Sequence, residues 1–165
     1  MKAEVEEFIE VWGAMGVLWG INRSMARVHA FMMVQKDAVD LDSIAKELNI
    51  SRGNASMCLK ELRNWRVIHR VYKSGERKDY YKVEENSWKM YYNVMVERKK
   101  REFDPALAAL RHLMAESDII KMENVNNRLK DMEELFSVLD KIASKALANE
   151  KTSKIMLDFF KNFAP

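Results

Sequence analysis

The chain has 165 residues, 48% apolar and 32% charged, a balance that excludes a disordered or fibrous protein and leaves room for a real hydrophobic core. No apolar run approaches the ~20 residues needed to span a bilayer, the acidic start Met1-Lys2-Ala3-Glu4-Val5-Glu6-Glu7 does not suit a signal peptide, and one Cys cannot form an internal disulfide, so a cytoplasmic protein with no membrane partner is expected. Net charge is only +3, yet Ser51 to Lys82 holds nine Lys and Arg against three Asp and Glu, a local +6 that leaves −3 for the rest.

From about Ala3 to Leu18 the apolar residues Val5, Phe8, Ile9, Trp12, Met15 and Trp19 recur at three- and four-residue spacing among acidic ones, the stripe of an amphipathic helix. Gly13, Gly16 and Gly20 should loosen or end it near Gly20. Asn22 is a good N-cap for a second helix through Arg27 and His29 to about Gln35. Asp40 caps a third, short one whose buried side carries Ile44, Ala45 and Leu48. Asn49-Ile50 makes the turn, and Ser51 caps a fourth helix whose first-turn amides stay partly free.

That fourth helix has two faces. At about 100° per residue from Arg52, Ala55, Cys58, Leu59, Leu62 and Trp65 fall within roughly 120° of arc. Gly53, Ser56, Met57, Lys60, Arg63 and Asn64 fall opposite. The first set suits packing on the third helix. The second is small or polar near the N-terminus and basic further along, as a helix needs if its start meets base edges and its later residues meet phosphates. Arg52 suits a guanine or a phosphate, Gly53 leaves room for close approach, Ser56 suits a polar contact, and Met57 suits a thymine methyl. Ser56 suits a bond to its own backbone equally well.

Val67 to Tyr72 and Asp79 to Val83 are strand-like runs joined by Lys73-Ser74-Gly75-Glu76-Arg77-Lys78, a hairpin with a basic tip. Lys73, Arg77 and Lys78 would straddle the nucleic-acid backbone or enter the minor groove, unless they merely protect a sheet edge. Beyond Trp88 the pattern is helical, with Asp104-Pro105 read as an N-cap and first residue that start a new helix. From Ile119, the positions Met122, Val125, Leu129, Met132, Leu135, Phe136, Leu139, Ile142 and Leu147 recur at roughly coiled-coil spacing. A last short helix carries Ile155, Met156, Phe159, Phe160 and Phe163.

Enzymatic chemistry finds no foothold. His29, His69 and His112 lack ligand-spaced partners, Cys58 falls on the inward face of the fourth helix, and no phosphate loop or nucleophile motif occurs. No catalytic residue, cofactor or metal is therefore expected. Trp12, Trp19, Trp88, Tyr91 and Tyr92 could line a pocket for a small-molecule effector, a quaternary ammonium by cation–π attraction, or could instead be dimer core.

Several pieces together resemble the MarR-type winged-helix regulators, and within them the GbsR-like branch. They are Asn22-Arg23-Ser24-Met25-Ala26-Arg27, Ser51-Arg52-Gly53-Asn54-Ala55-Ser56, Leu59-Lys60-Glu61-Leu62-Arg63-Asn64-Trp65, and Gly75-Glu76-Arg77-Lys78-Asp79-Tyr80-Tyr81 followed by Trp88. The match covers roughly residues 4 to 115. The resemblance implies a homodimeric regulator whose terminal helices interlock and whose two winged lobes reach successive major grooves of a pseudo-palindromic double-stranded DNA operator. It adds Ser51 and Asn54 to the DNA-contact residues. Two positions depart from the branch: Arg66 stands where it carries Gly, and Ala26-Arg27 where it carries Gly-Arg.

The expected fold is mainly α with a small β-hairpin wing, a winged helix-turn-helix flanked by N- and C-terminal dimerisation helices. Residues 1–36 would be N-terminal helices, 37–84 the DNA-binding region and 85–165 a helical dimerisation arm. The expected function is sequence-specific transcriptional regulation as a homodimer, in the sense of a repressor. The rival is a winged-helix protein-interaction or RNA-binding module without operator specificity.

Overall fold

The computed structural model describes residues 2–116 and 121–163, without the side chains of Phe160 and Phe163. The chain divides into two compact units, Met1–Met90 and Tyr91–Pro165.

In the first unit, α1 (Ala3–Leu18) packs along α2 (Arg23–Met33). A Cβ on Gly16 would lie 2.5 Å from Ala26 Cβ, so the glycine is what lets the two backbones approach. Ala26 is thus a small residue set against a glycine of α1. Glu10 of α1 takes Arg23 at 2.8 Å and Arg27 at 2.7 Å, which holds its carboxyl below the usual range. Asn22 caps α2, its side chain accepting from the Met25 amide at 3.2 Å.

The winged segment follows as β1 (Val39–Asp40), α3 (Leu41–Glu47), α4 (Arg52–Asn64), β2 (Ile68–Val71) and β3 (Tyr80–Val83). Its core is Ile44 of α3, Leu59 of α4 and Val67, with Val28 and Met32 of α2, all essentially sealed from solvent. Helix α2, which precedes the winged segment, therefore shares its core. The sheet order is β1-β3-β2, antiparallel, with Val39 opposite Tyr81 and Val71 opposite Tyr80. The hairpin reading lacked β1. Two residues have no periodicity to detect, and Asp40 is also the N-cap of α3, accepting from the Asp42 and Ser43 amides.

Arg66 is left-handed, at φ 55°. Its amide donates to Arg63 O at 2.9 Å, and the Val67 amide donates to Leu62 O at 3.1 Å, the paired bonds that close a helix around a left-handed residue. A side chain in that conformation costs about 1–2 kcal/mol. Arg66→Gly should therefore raise stability by about 0.5–1 kcal/mol, less than the full strain because glycine gains unfolded-state entropy. The urea midpoint checks this: it should rise, and a fall would mean that the arginine's own contacts outweigh its strain.

Helix α5 (Ser87–Arg98) runs across the boundary between the units. The expected break at Asp104-Pro105 does not occur. A π-helical turn at Lys99–Phe103 leads directly into α6 (Asp104–Glu116), and Asp104 has helical angles, φ −60° and ψ −43°. A wide turn moves the carbonyl four residues back away from the proline ring, so the chain keeps its helix where a regular turn would clash.

The second unit is completed by α7 (Glu123–Ala146) and α8 (Glu150–Phe163). Helices α6 and α7 pack together through Arg111 to Glu133 at 2.8 Å and through Lys99 of the π-helical turn, which reaches Asp140 of α7 at 2.8 Å. Phe103 and Phe136 pack at a tilt with ring centres 5.8 Å apart. Met132, Leu135, Leu139 and Ile142 of the expected coiled-coil stripe stand exposed on α7. Ile119 and the Phe160 and Phe163 side chains lie outside the described residues.

Candidate nucleic-acid interface

Helix α4 divides as its angles require. Ala55, Cys58, Leu59, Leu62 and Trp65 are buried, while Gly53, Ser56, Met57, Lys60, Arg63 and Asn64 are exposed. Burial pushes the Cys58 thiol up, away from the reactive thiolate. Ser51 caps the helix, its Oγ accepting from the Asn54 amide at 3.1 Å, a bond worth about 1 kcal/mol. Met57, a large apolar side chain, is 70% exposed on the outward face.

Gly53 is not demanded by internal packing. A Cβ there would meet nothing nearer than Ser51 Oγ at 3.9 Å. The small residue leaves open space on the outer side of the first turn, where an external surface can approach.

Asn54, counted with the DNA contacts, is turned inward instead. Its Nδ2 donates to Ser24 Oγ at 3.2 Å, and Cys58 Sγ donates to its Oδ1 at 3.5 Å. It is a strut between α4 and α2, because its position on the helix falls beside the buried arc.

The wing cations are engaged unequally. Lys73 donates to Ala38 O at 3.3 Å and sits 4.0 Å from the centre of the Tyr80 ring, which draws it to the base of the wing. Arg77 is exposed near the tip. Lys78 lies 3.6 Å from both Asp40 and Asp42, and Asp40 above all holds its ammonium above the usual range. Arg52, 75% exposed, pairs with Asp42 at 3.0 Å. Arg70 pairs with Asp79 and covers Tyr72, itself strongly exposed beside the wing.

Asp42 and Tyr72 are the two residues of this face that sequence reasoning passed over. Asp42 is ten residues from Arg52 and thirty-six from Lys78, so no local pattern announces their meeting. Tyr72 looks from sequence like any strand residue. Arg52, Lys60 and Arg63 of α4 and Lys73, Arg77 and Lys78 of the wing put six cations on two elements that Asp42 links, charge of the sign that a phosphate backbone attracts.

The aromatics considered for an effector pocket have separate settings. Trp12 packs on Phe8 and on His29, Trp19 and Tyr91 are exposed, and Tyr92 Oη donates to Leu147 O at 3.1 Å. A cleft of about 440 Å³ lies in the second unit, walled by Met95, Phe103, Ala106, Phe136 and Leu147 with Lys99 at its side. Among the described residues no group of three His, Cys, Asp or Glu is placed to hold a metal ion, and no helix is long and apolar enough to cross a membrane.

No protein-family model matches the chain. Its sequence is 24% identical over 148 residues to the HTH-type transcriptional repressor GbsR of Bacillus subtilis (strain 168), across 89% of this chain and 76% of that protein. A crystal structure of a transcriptional regulator superposes with a TM-score of 0.65 at 21% identity, covering 88% of this chain and 96% of that one. The chain is thus similar in sequence to a GbsR repressor and shares the fold of a solved transcriptional regulator, with the winged helix-turn-helix within its first unit.

Proposed function

We propose that this chain is a sequence-specific regulator of transcription that binds double-stranded DNA as a homodimer, in the sense of a repressor. The observation that carries the reading is the outward face of α4, small at its start and basic further along, lying beside a wing that adds Lys73, Arg77 and Lys78. A major groove about 12 Å wide accepts one helix, and the wing cations suit the flanking phosphates. On this reading Arg52, Gly53, Ser56 and Met57 approach base edges, while Ser51, Lys60, Arg63 and the wing cations meet the backbone. The name of the similar Bacillus protein supports repression.

Homodimerisation is supported by the apolar side chains that single-chain packing leaves uncovered in the second unit. Leu135 and Ile142 of α7 and Ile155 and Phe159 of α8 are all more than half exposed. A small-molecule effector belongs to the same reading, and the apolar cleft of the second unit falls within the usual size for such a ligand. The reading also sets the protein to work in the cytoplasm, alongside the chromosome.

Selection from a random duplex pool tests this reading. An inverted repeat with half-site centres about one helical turn apart, roughly 10 base pairs, is the expected product. A pool that stays unenriched, or stronger capture of hairpin RNA than of duplex, would overturn it.

A further inference from the structure

The reading helix and the wing are tied together by a carboxylate that belongs to neither. Asp42, in the first turn of α3, places Oδ1 3.0 Å from Arg52 Nε and Oδ2 3.6 Å from Lys78 Nζ. Arg52 opens α4 and Lys78 stands at the end of the wing, just before β3. One carboxylate therefore occupies two of the cations assigned to DNA.

We propose that Asp42 is an intramolecular competitor of DNA phosphate, a built-in brake that both cations must leave before they engage the duplex. The inference rests on the duplex-binding reading above and adds to it a residue that limits affinity. Asp40 is not the brake, although it too lies 3.6 Å from Lys78. Its side chain is only 14% exposed and is committed to the start of α3, accepting from the Asp42 amide, the Ser43 amide and Ser43 Oγ. Asp42 has no such duty. Its side chain is 46% exposed and, among the described residues, engages those two cations.

The exposure of the partners decides the sign. Arg52 is 75% and Lys78 56% exposed, so both pairs are solvent-screened and weak enough for a phosphate to displace. A carboxylate that held the cations in place for DNA would be buried with them, bonded on more than one side. This one stands at the surface, where it repels the same phosphates that the cations attract. When DNA binds, both pairs break, and the carboxylate is left facing a polyanion.

Affinity for a labelled mixed-sequence duplex of about three helical turns tests the proposal. Asp42→Asn, which keeps the side chain's shape, should tighten binding roughly threefold to tenfold at low salt. Asp42→Ser should do the same, with thermal melting verifying that both variants stay folded. Glu47→Gln removes an equal charge from an exposed position on the same helix and should change affinity less than about twofold. Arg52→Gln should cost more affinity in the Asp42→Asn background than in the wild type, because the arginine no longer breaks a pair in order to bind. Weaker or unchanged binding by Asp42→Asn, an equal gain from Glu47→Gln, or strict additivity with Arg52→Gln would overturn the brake. A wild-type chain that binds no duplex at all would instead overturn the function on which it rests.

Discussion

Acidification from pH 7 to pH 5 should cost the folded chain about 2 kcal/mol through one residue, His29, rising to about 3 kcal/mol by pH 4. His29 lies in α2, 7% exposed, with Trp12 beside it and, among the described residues, no hydrogen-bond partner for Nε2. Burial pushes its imidazole down to about 4 from an ordinary 6.5. Between those values the unfolded chain binds a proton that the folded chain refuses, so stability is complete above about pH 6.5 and drains away as pH falls toward 4. The carboxyls of Glu10 and Asp40, held low by their partners, add losses in the same direction but only below their ordinary values near 4. Urea midpoints at pH 7 and pH 5 separate the two. His29→Phe should lose most of the difference between those pH values while the wild type keeps it. A wild-type midpoint that does not move would mean that the ring is hydrated or paired.

Much of this fold can be read from residue chemistry. Asn22, Asp40 and Ser51 are capping residues by type, and each caps the helix that follows it. The angles of α4 separate the buried residues from the exposed ones because a helix that packs on one side must do so. The same angles put Asn54 at about 200°, next to the buried arc. Its place among the DNA contacts came from the motif around it, whereas the structure gives its side chain partners within the chain. What could not be read depends on tertiary meetings. β1 is too short to have a period, and the π-helical turn ahead of Pro105 leaves no mark that distinguishes it from a helix break. Asp42 finds Arg52 and Lys78 only after α3, α4 and the wing have packed. The candidate site was thus legible as a list of cations, and illegible as a network in which some of them already have partners.

The dependence of duplex binding on salt tests the account most directly. Six cations stand on α4 and the wing of each chain, and two such lobes on one operator would neutralise on the order of 6–10 phosphates after allowing for those that stay paired. Each phosphate contributes about −0.9 to the slope of log affinity against log salt, so affinity should fall by about 10³–10⁵ between 50 and 200 mM. The ion pairs of Arg52 and Lys78 are exposed and screened by the same salt, so they reduce this slope without abolishing it. A fluorescence anisotropy titration across that range, on the duplex recovered from the pool, gives the number. A slope of about −5 to −9 is expected, reduced in magnitude when Arg77 and Lys78 are both changed to Ala. A slope shallower than about −2, unmoved by those changes, would contradict a DNA-reading face and leave the winged fold with another purpose.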